Sequence, residues 1–277
     1  MRPVRLLDKG RIEAHLREDP GLHVYGLADL DDRFWPKTEW HGVEAGQGLA
    51  AAAFIYHAPA GPTLLALGPE RRAPALRGLL AGLDLPDRFY AHLSPGLRGA
   101  LEGRFRLASR GLHLKMNLRD AGALAGADVS RAFPLGPGDR DELMRFYADS
   151  YPGNWFDPWM LETGRYFAVR EGADDRGLSR GSAASEAGGA AIAAAAGVHA
   201  FSPAYKVAAV GNVATRPSHR GRGLGSCVTA AVCRSLLESV ELIGLNVQAD
   251  NAAAIRVYER LGFRRAAVYE EYEAVST

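Results

Sequence analysis

Between Val207 and Gly225 the chain reads VAAVGNVATRPSHRGRGLG, and these residue types suit the capture of a pyrophosphate. A β-prone stretch ends at Thr215, and Pro217 and Ser218 break it. Glycines at 221, 223 and 225 then lead into an amphipathic helix with Leu224, Val228, Val232 and Leu236 at four-residue intervals. Glycine lacks the Cβ that would keep a phosphate away from the backbone. The free N–H groups of a first helical turn, at the positive end of the helix dipole, favour the anion. Arg220 and Arg222 add side-chain charge. Two other phosphate loops do not fit. A P-loop needs Gly-Lys-Ser/Thr at the helix start, and no such lysine is present. A dinucleotide fingerprint needs glycine where Ser226 stands, at the start of a βαβ unit rather than late in the chain. On this run alone, a plain glycine turn between strand and helix is the competing reading.

A second constellation follows. Leu242 to Gln248 alternates Ile243, Leu245 and Val247 with small or polar residues, as a half-buried strand does. It runs into a helix that Asp250 or Asn251 can cap and that Gly262 can end in a left-handed turn. Asn251 and Tyr258 are two turns apart and share roughly one helix face. Singly, a cap asparagine and a packed tyrosine are ordinary structural residues.

Together these residues resemble the GNAT N-acetyltransferase superfamily. Its Arg/Gln-x-x-Gly-x-Gly/Ala motif is matched by Arg220, Gly223 and Gly225. Its Asn-x-x-Ala-x-x-x-Tyr-x-x-x-Gly-Phe segment is matched by Asn251, Ala254, Tyr258, Gly262 and Phe263. The likeness covers roughly Val207 to Tyr272. It implies an α+β (mixed α/β) fold with a GNAT-like splayed mixed sheet flanked by helices, and acetyl-CoA as co-substrate. The implied reaction is transfer of an acetyl group to a primary amine by direct attack. By the same resemblance, Val213, Ala214 and Thr215 offer backbone groups to pantetheine. The amides of Arg220, Gly221, Arg222, Gly223, Leu224, Gly225 and Ser226 hold the pyrophosphate, and Asn251 contacts the pantetheine region. Tyr258 protonates or hydrogen-bonds the departing thiolate, and an N–H at or near Val213 polarises the thioester carbonyl.

One departure concerns the base. Many members carry a glutamate on the strand before the glycine loop, whereas this chain reads Ala208-Ala209-Val210-Gly211-Asn212. Asn212 could order a water that takes the amine proton, His199 on the preceding strand could reach the site, or the amine arrives already neutral. An acceptor pocket is suggested by YADSYPGNWFDPW, where Tyr151 and Trp155 could wall the acceptor and Asp157 could hold its ammonium. Tyr147, Phe156 and Trp159 belong to the same run, and core packing is the alternative for these aromatics. Two other functions compete: an acyltransferase taking a longer acyl-CoA, for which Ala208 and Ala209 leave room, and a non-catalytic acyl-CoA-binding sensor, favoured by the missing glutamate.

The elements that must position these groups alternate between strand and helix patterns. Strands are expected over 47–56, 63–67, 89–93, 105–118, 166–170, 190–200, 206–215 and 242–248, with helices over 71–83 and 139–147 and from 223 and 251. The small residues of Asp120 to Asp128 suggest a linker, dividing the chain into an auxiliary domain at 1–125 and an acetyl-CoA-binding catalytic domain at 126–277. Thr63 to Arg72 (strand, proline turn, basic pair, helix) faintly repeats Thr215 to Arg220, so the first domain reads as a degenerate GNAT-like copy without its glycine loop. Glu171 to Gly189 has almost no large apolar residue and reads as a mobile hairpin loop.

Composition narrows the partners. The 277 residues carry a formal net charge of +1, which gives no electrostatic case for nucleic acid or an anionic membrane. No apolar run approaches the roughly 20 residues of a membrane span, and the N-terminus lacks a signal-like apolar core. Cys227 and Cys233, six apart in one helix, point in different directions and are not expected to form a disulfide. The eight histidines form no close ligand pair and the two cysteines no CxxC, so no metal is expected. A cytoplasmic enzyme acting on a small-molecule or protein amine is the resulting expectation.

Overall fold

A computed structural model of the chain describes residues 3–172 and 190–277. They form two compact units, one of residues 1–117, 246–252 and 265–277, the other of residues 118–245 and 253–264.

In the first unit the elements are β1 (Val4–Arg5), α1 (Lys9–Leu16), α2 (Val24–Ala28), β2 (Thr38–Ala45), β3 (Gly48–Ala58), β4 (Gly61–Ala66), α3 (Ala73–Gly82), β5 (Arg88–Leu93) and β6 (Phe105–Leu118). Strands β1 to β4 pair antiparallel in sequence order, and α3 then carries the chain over to β5, parallel to β4. The crossover helix is held by Leu76, Leu79 and Leu80, which recur at helical spacing and are buried in one cluster with Ile55, Leu64 and Ala91. Each such leucine stabilises the unit by about 1.5–3 kcal/mol.

The second unit repeats that order: β7 (Phe133–Leu135), α4 (Arg140–Ser150), α5 (Trp159–Glu162), β8 (Tyr166–Arg170), β9 (Ile192–Ser202), β10 (Val207–Thr215), α6 (Leu224–Leu236), β11 (Leu242–Gln248), α7 (Ala252–Arg260) and the start of β12 (Phe263–Ser276). Strands β7 to β10 are antiparallel neighbours, and α6 connects β10 to the parallel β11. The small residues of β9 have a packing reason. A Cβ on Gly197 would lie 2.1 Å from the ring of Tyr166, so this position admits no side chain. Both units thus carry a mixed sheet flanked by helices, the α+β class expected.

Two features differ from expectation. The units are not consecutive stretches divided near residue 125, because β12 pairs antiparallel with β5, from Glu270↔Leu93 to Val275↔Arg88, and so completes the first unit's sheet. The expected linker is an ordered 3-10 turn, Ala121–Gly126, capped by the Asp120 carboxylate. Leu124 anchors it by burial, and the Arg234 guanidinium donates to the carbonyls of Leu124 at 2.6 Å and Ala127 at 2.8 Å. The hairpin loop expected over Glu171 to Gly189 falls almost wholly outside the described residues. Cys227 and Cys233 are free thiols inside the core.

Candidate active site

Strand β10 is paired with β11 only from Val207↔Leu242 to Val210↔Leu245, and its ladder with β9 is interrupted between Gly211 and Ala214. The cause lies in Asn212, whose φ of +54° is left-handed. Asparagine is among the few non-glycine residues that tolerate this region. The bulge leaves Asn212 and Val213 outside the β9 register, so the backbone here is not committed to a ladder.

Five hydrogen bonds hold the bulge through Asn212 itself, which is buried. Its Oδ1 accepts from His199 Nε2 at 2.9 Å and from Asn154 Nδ2 at 3.3 Å. Its Nδ2 donates to the Tyr166 hydroxyl at 2.8 Å and to Met160 Sδ at 3.6 Å. Its backbone carbonyl accepts from the Tyr147 hydroxyl at 2.9 Å. Because the amide oxygen only accepts, His199 carries its proton on Nε2, and the ring's lone pair is at Nδ1. Burial lowers the proton affinity of His199, so its neutral form prevails near pH 7. The ring lies against Gly211, where a Cβ would come within 2.4 Å of it, and 5.8 Å from the Trp155 ring.

Beyond Thr215 the chain turns through Pro217–His219 and reaches the glycine run. Gly221 and Gly223 have φ of +78° and +76°, which explains their residue type, and Gly223 is the N-cap of α6. Having no side chain, Gly223 cannot cap the helix, and Cys227 N–H is the first to bond back, to the Gly223 carbonyl at 3.0 Å. The amides of Leu224, Gly225 and Ser226 therefore sit at a 13-residue helix's positive end without a capping side chain. Arg220 and Arg222 are exposed beside them and fold back to the carbonyls of Thr215 at 3.4 Å and Ser218 at 3.2 Å. This donor set fits a pyrophosphate.

Tyr258 lies on α7 and is 7% exposed. Burial, then the neighbouring Tyr151 and Cys233, push its phenol well above its ordinary range, so it is a protonated donor at neutral pH. Tyr151 itself, just past α4, is exposed. Trp155 and Asp157 are half-buried, and Asp157 Oδ1 accepts from Trp159 N–H at 3.2 Å at the start of α5. Tyr147, Phe156 and Trp159 turn inward: Tyr147 and Trp159 are buried, and the Phe156 ring lies 5.9 Å from both Tyr147 and Tyr166. These three thus pack within the second unit. Asn251 is exposed, directly before α7, and belongs to the first unit. Two residues absent from the sequence reading, Asn154 and Tyr166, are partners of Asn212. A Gly-Asn pair inside a strand hinted at the bulge, but nothing local marks those partners.

The equivalent place in the first unit is built differently. Ser94 N–H bonds the Ala66 carbonyl at 3.0 Å, and Ser94 Oγ both accepts from Gly68 N–H and donates to the Gly68 carbonyl, each at 3.0 Å. Strands β4 and β5 thus stay joined past their last ladder pair.

The element order, the parallel crossover beside a strand bulge, and the glycine loop at an uncapped helix define the GNAT acetyltransferase fold, which covers nearly the whole chain. A GNAT-family protein from Novosphingobium aromaticivorans superposes with a TM-score of 0.59 at 22% identity, over 94% of this chain and 99% of its own. A Drosophila protein superposes with a TM-score of 0.69 at 15% identity, over 99% and 98%. A tandem GNAT protein from the clavulanic acid biosynthesis pathway gives a TM-score of 0.54 at 18% identity, over 99% and 98%. Within this fold, residues 193–273 match the family described as FR47-like protein. The mycothiol acetyltransferase of Kytococcus sedentarius is 43% identical over 61 residues, 22% of this chain and 21% of that protein, so the likeness spans about a fifth of the relative's length. Among the described residues no group of three or more His, Cys, Asp or Glu is placed to hold a metal, and no helix is long and apolar enough to cross a membrane.

Proposed function

We propose that the chain is an acyl-CoA-dependent N-acyltransferase that moves an acetyl group from acetyl-CoA to a primary amine by direct attack, with catalysis in the second unit. The observation that carries this reading is the pairing of a left-handed bulge at Asn212 with the uncapped glycine entrance to α6 at the end of the same strand. The first offers backbone to a thioester arm and the second offers amides to its phosphates. Bound there, acetyl-CoA supplies an activated acyl carbon and a thiol leaving group. Val213 N–H is the candidate donor to the carbonyl oxygen. Tyr258, neutral and buried, gives its proton to the leaving sulfur.

His199 is the favoured proton acceptor, acting through Nδ1, because Asn212 fixes its tautomer. Asn212 is a positioning residue in this scheme, since both polar atoms of its side chain are committed to protein partners. Tyr151, Trp155 and Asp157 line the acceptor's approach. Asn251 is assigned to the pantetheine, and the first unit is read as a second GNAT-like copy that binds no coenzyme A, closed where Ser94 ties β4 to β5.

The test is thiol release from acetyl-CoA against a panel of small amines and amine-bearing peptides. Tyr258→Phe should lower kcat by roughly 10–100-fold with little change in the KM for acetyl-CoA. Binding of acetyl-CoA without turnover of any amine, and no rate loss in Tyr258→Phe, would establish the sensor instead.

A further inference from the structure

The amide assigned to the thioester oxygen belongs to the peptide between Asn212 and Val213, and that peptide is gripped from its other side. The Tyr147 hydroxyl donates to the Asn212 carbonyl at 2.9 Å. A carbonyl only accepts, so the phenol proton lies in this bond. Among the described residues no peptide is cis, and in a trans peptide the C=O and N–H point in opposite directions. The Val213 N–H is therefore turned away from Tyr147. The ladder gives the same direction. Arg216 N–H donates to the Ala193 carbonyl at 2.8 Å, and hydrogen-bonded pairs alternate along an antiparallel ladder. Ala214, opposite Ala195, is then the next residue whose amide faces β9. Val213 faces the other edge of β10, where pairing with β11 has already ended at Val210↔Leu245.

The tyrosine is built into its place. Leu143, Phe146 and Tyr147 form the buried stripe of α4. The Tyr147 ring lies 5.4 Å from that of Phe146 and 5.9 Å from that of Phe156. Its hydroxyl is carried into the interior, where a polar group without a partner is unfavourable. Burial, then the neighbouring Tyr166 and Tyr151, hold the phenol well above its ordinary range, so it stays a donor. The peptide it holds has no such support from the sheet, because Asn212 and Val213 lie outside the β9 register and past the last β11 pair. A peptide so placed rotates about its flanking dihedrals unless a side chain fixes it. We propose that Tyr147 is the positioning residue of the oxyanion donor, its hydroxyl holding the peptide of Asn212 and Val213 so that the Val213 N–H faces the thioester oxygen. The proposal rests on the acyl-transfer reading above. Two effects come from the one bond. The N–H is oriented before substrate arrives, and an amide whose carbonyl accepts a hydrogen bond is a stronger donor through its N–H. Tyr147 touches neither reactant and passes no proton.

The experiment compares the native full chain with Tyr147→Phe, which keeps the ring and removes the donor. In Tyr147→Phe kcat should fall by about tenfold while the KM for acetyl-CoA stays within about twofold. The pH profile should keep its shape, since neither His199 nor Tyr258 is touched. Difference infrared spectra of acetyl-CoA carrying heavy carbon at its thioester carbonyl read the polarisation directly. Binding to the native protein should move that band to lower wavenumber, and Tyr147→Phe should return it toward that of free acetyl-CoA. A fluorotyrosine placed at 147 is a stronger donor of nearly the same shape. It should move the band further, and it serves in place of Tyr147→Phe should that variant fold poorly. Leu143→Val loosens the same helix without touching the bond and should leave the band in place. In the ligand-free protein the Val213 amide proton resonance should move in Tyr147→Phe, which reports on the peptide whatever the chemistry. An amide resonance or a carbonyl band unmoved by Tyr147→Phe, or an equal loss of kcat in Leu143→Val, would overturn the positioning role and leave acyl transfer standing. A native protein that binds acetyl-CoA with no displaced band and acetylates no amine would remove the acyl-transfer reading itself, and this proposal with it.

Discussion

His199 donates through Nε2 to the side-chain oxygen of Asn212 at 2.9 Å, and Asn212 is the residue whose left-handed backbone creates the bulge in β10. The imidazole's tautomer and the strand's irregularity are therefore fixed by one contact. Asn212→Gly separates the two roles, because glycine keeps the φ of +54° but loses every side-chain bond. It should cost about 2–4 kcal/mol in urea unfolding, since Tyr166 and His199 lose a buried partner. It should also lower kcat by roughly 100-fold. A variant with native stability and native rate would remove Asn212 from the mechanism.

His199 should also set the acid side of the pH profile. Burial lowers its proton affinity from the ordinary value of 6.5, so the base form persists below that pH and is lost only as pH falls through the lowered value. The acid limb of kcat/KM should accordingly lie below pH 6.5 in the native enzyme and be absent from His199→Gln. Gly211→Ala should mimic that loss, because its Cβ would displace a ring now 2.4 Å from that point.

Gly223→Ala tests the phosphate loop by conformation alone. A Cβ there meets nothing within 4 Å, yet the φ of +76° is unfavourable for alanine by about 1–2 kcal/mol. Isothermal titration should show acetyl-CoA affinity falling by about tenfold as the turn relaxes. Gly225→Ala is the complementary variant. The fold accepts it, with a 3.5 Å contact to Thr215, so any loss of affinity measures crowding of the pyrophosphate.

Asp29 gives the first unit a pH-dependent liability. Complete burial raises its carboxyl to about 8 from an ordinary 3.8. The folded state then holds the proton more tightly than the unfolded state. Its favourable contribution is full below pH 3.8 and is lost as pH rises toward 8. Asp29→Asn, which cannot ionise, should match the native Tm near pH 4 and exceed it increasingly up to pH 8. A constant difference across that range would refute the assignment.

Much of the fold was legible in the sequence for local reasons. The strands 105–118, 166–170 and 242–248 fall where their apolar patterns end, because alternation and breakers are properties of a few adjacent residues. The glycine loop was legible too, since φ values above zero at 221 and 223 demand glycine itself. The clamp on Asn212 was not. Asn154 and Tyr166 lie 58 and 46 residues away, and no periodicity connects them. The ordered turn at 121–126 was not legible, because small residues read as flexible until Leu124 is seen to be buried and Arg234 to reach its carbonyl.

The strand β12 has a temporal consequence. Its Glu271 meets Tyr90 across 181 residues of sequence, so during synthesis the first unit emerges early and waits for a strand made much later. Through that interval β5 presents an open edge, and the loop-closure cost of its missing neighbour is among the largest in the chain. The first unit is thus begun before the second and sealed only once β12 has been made.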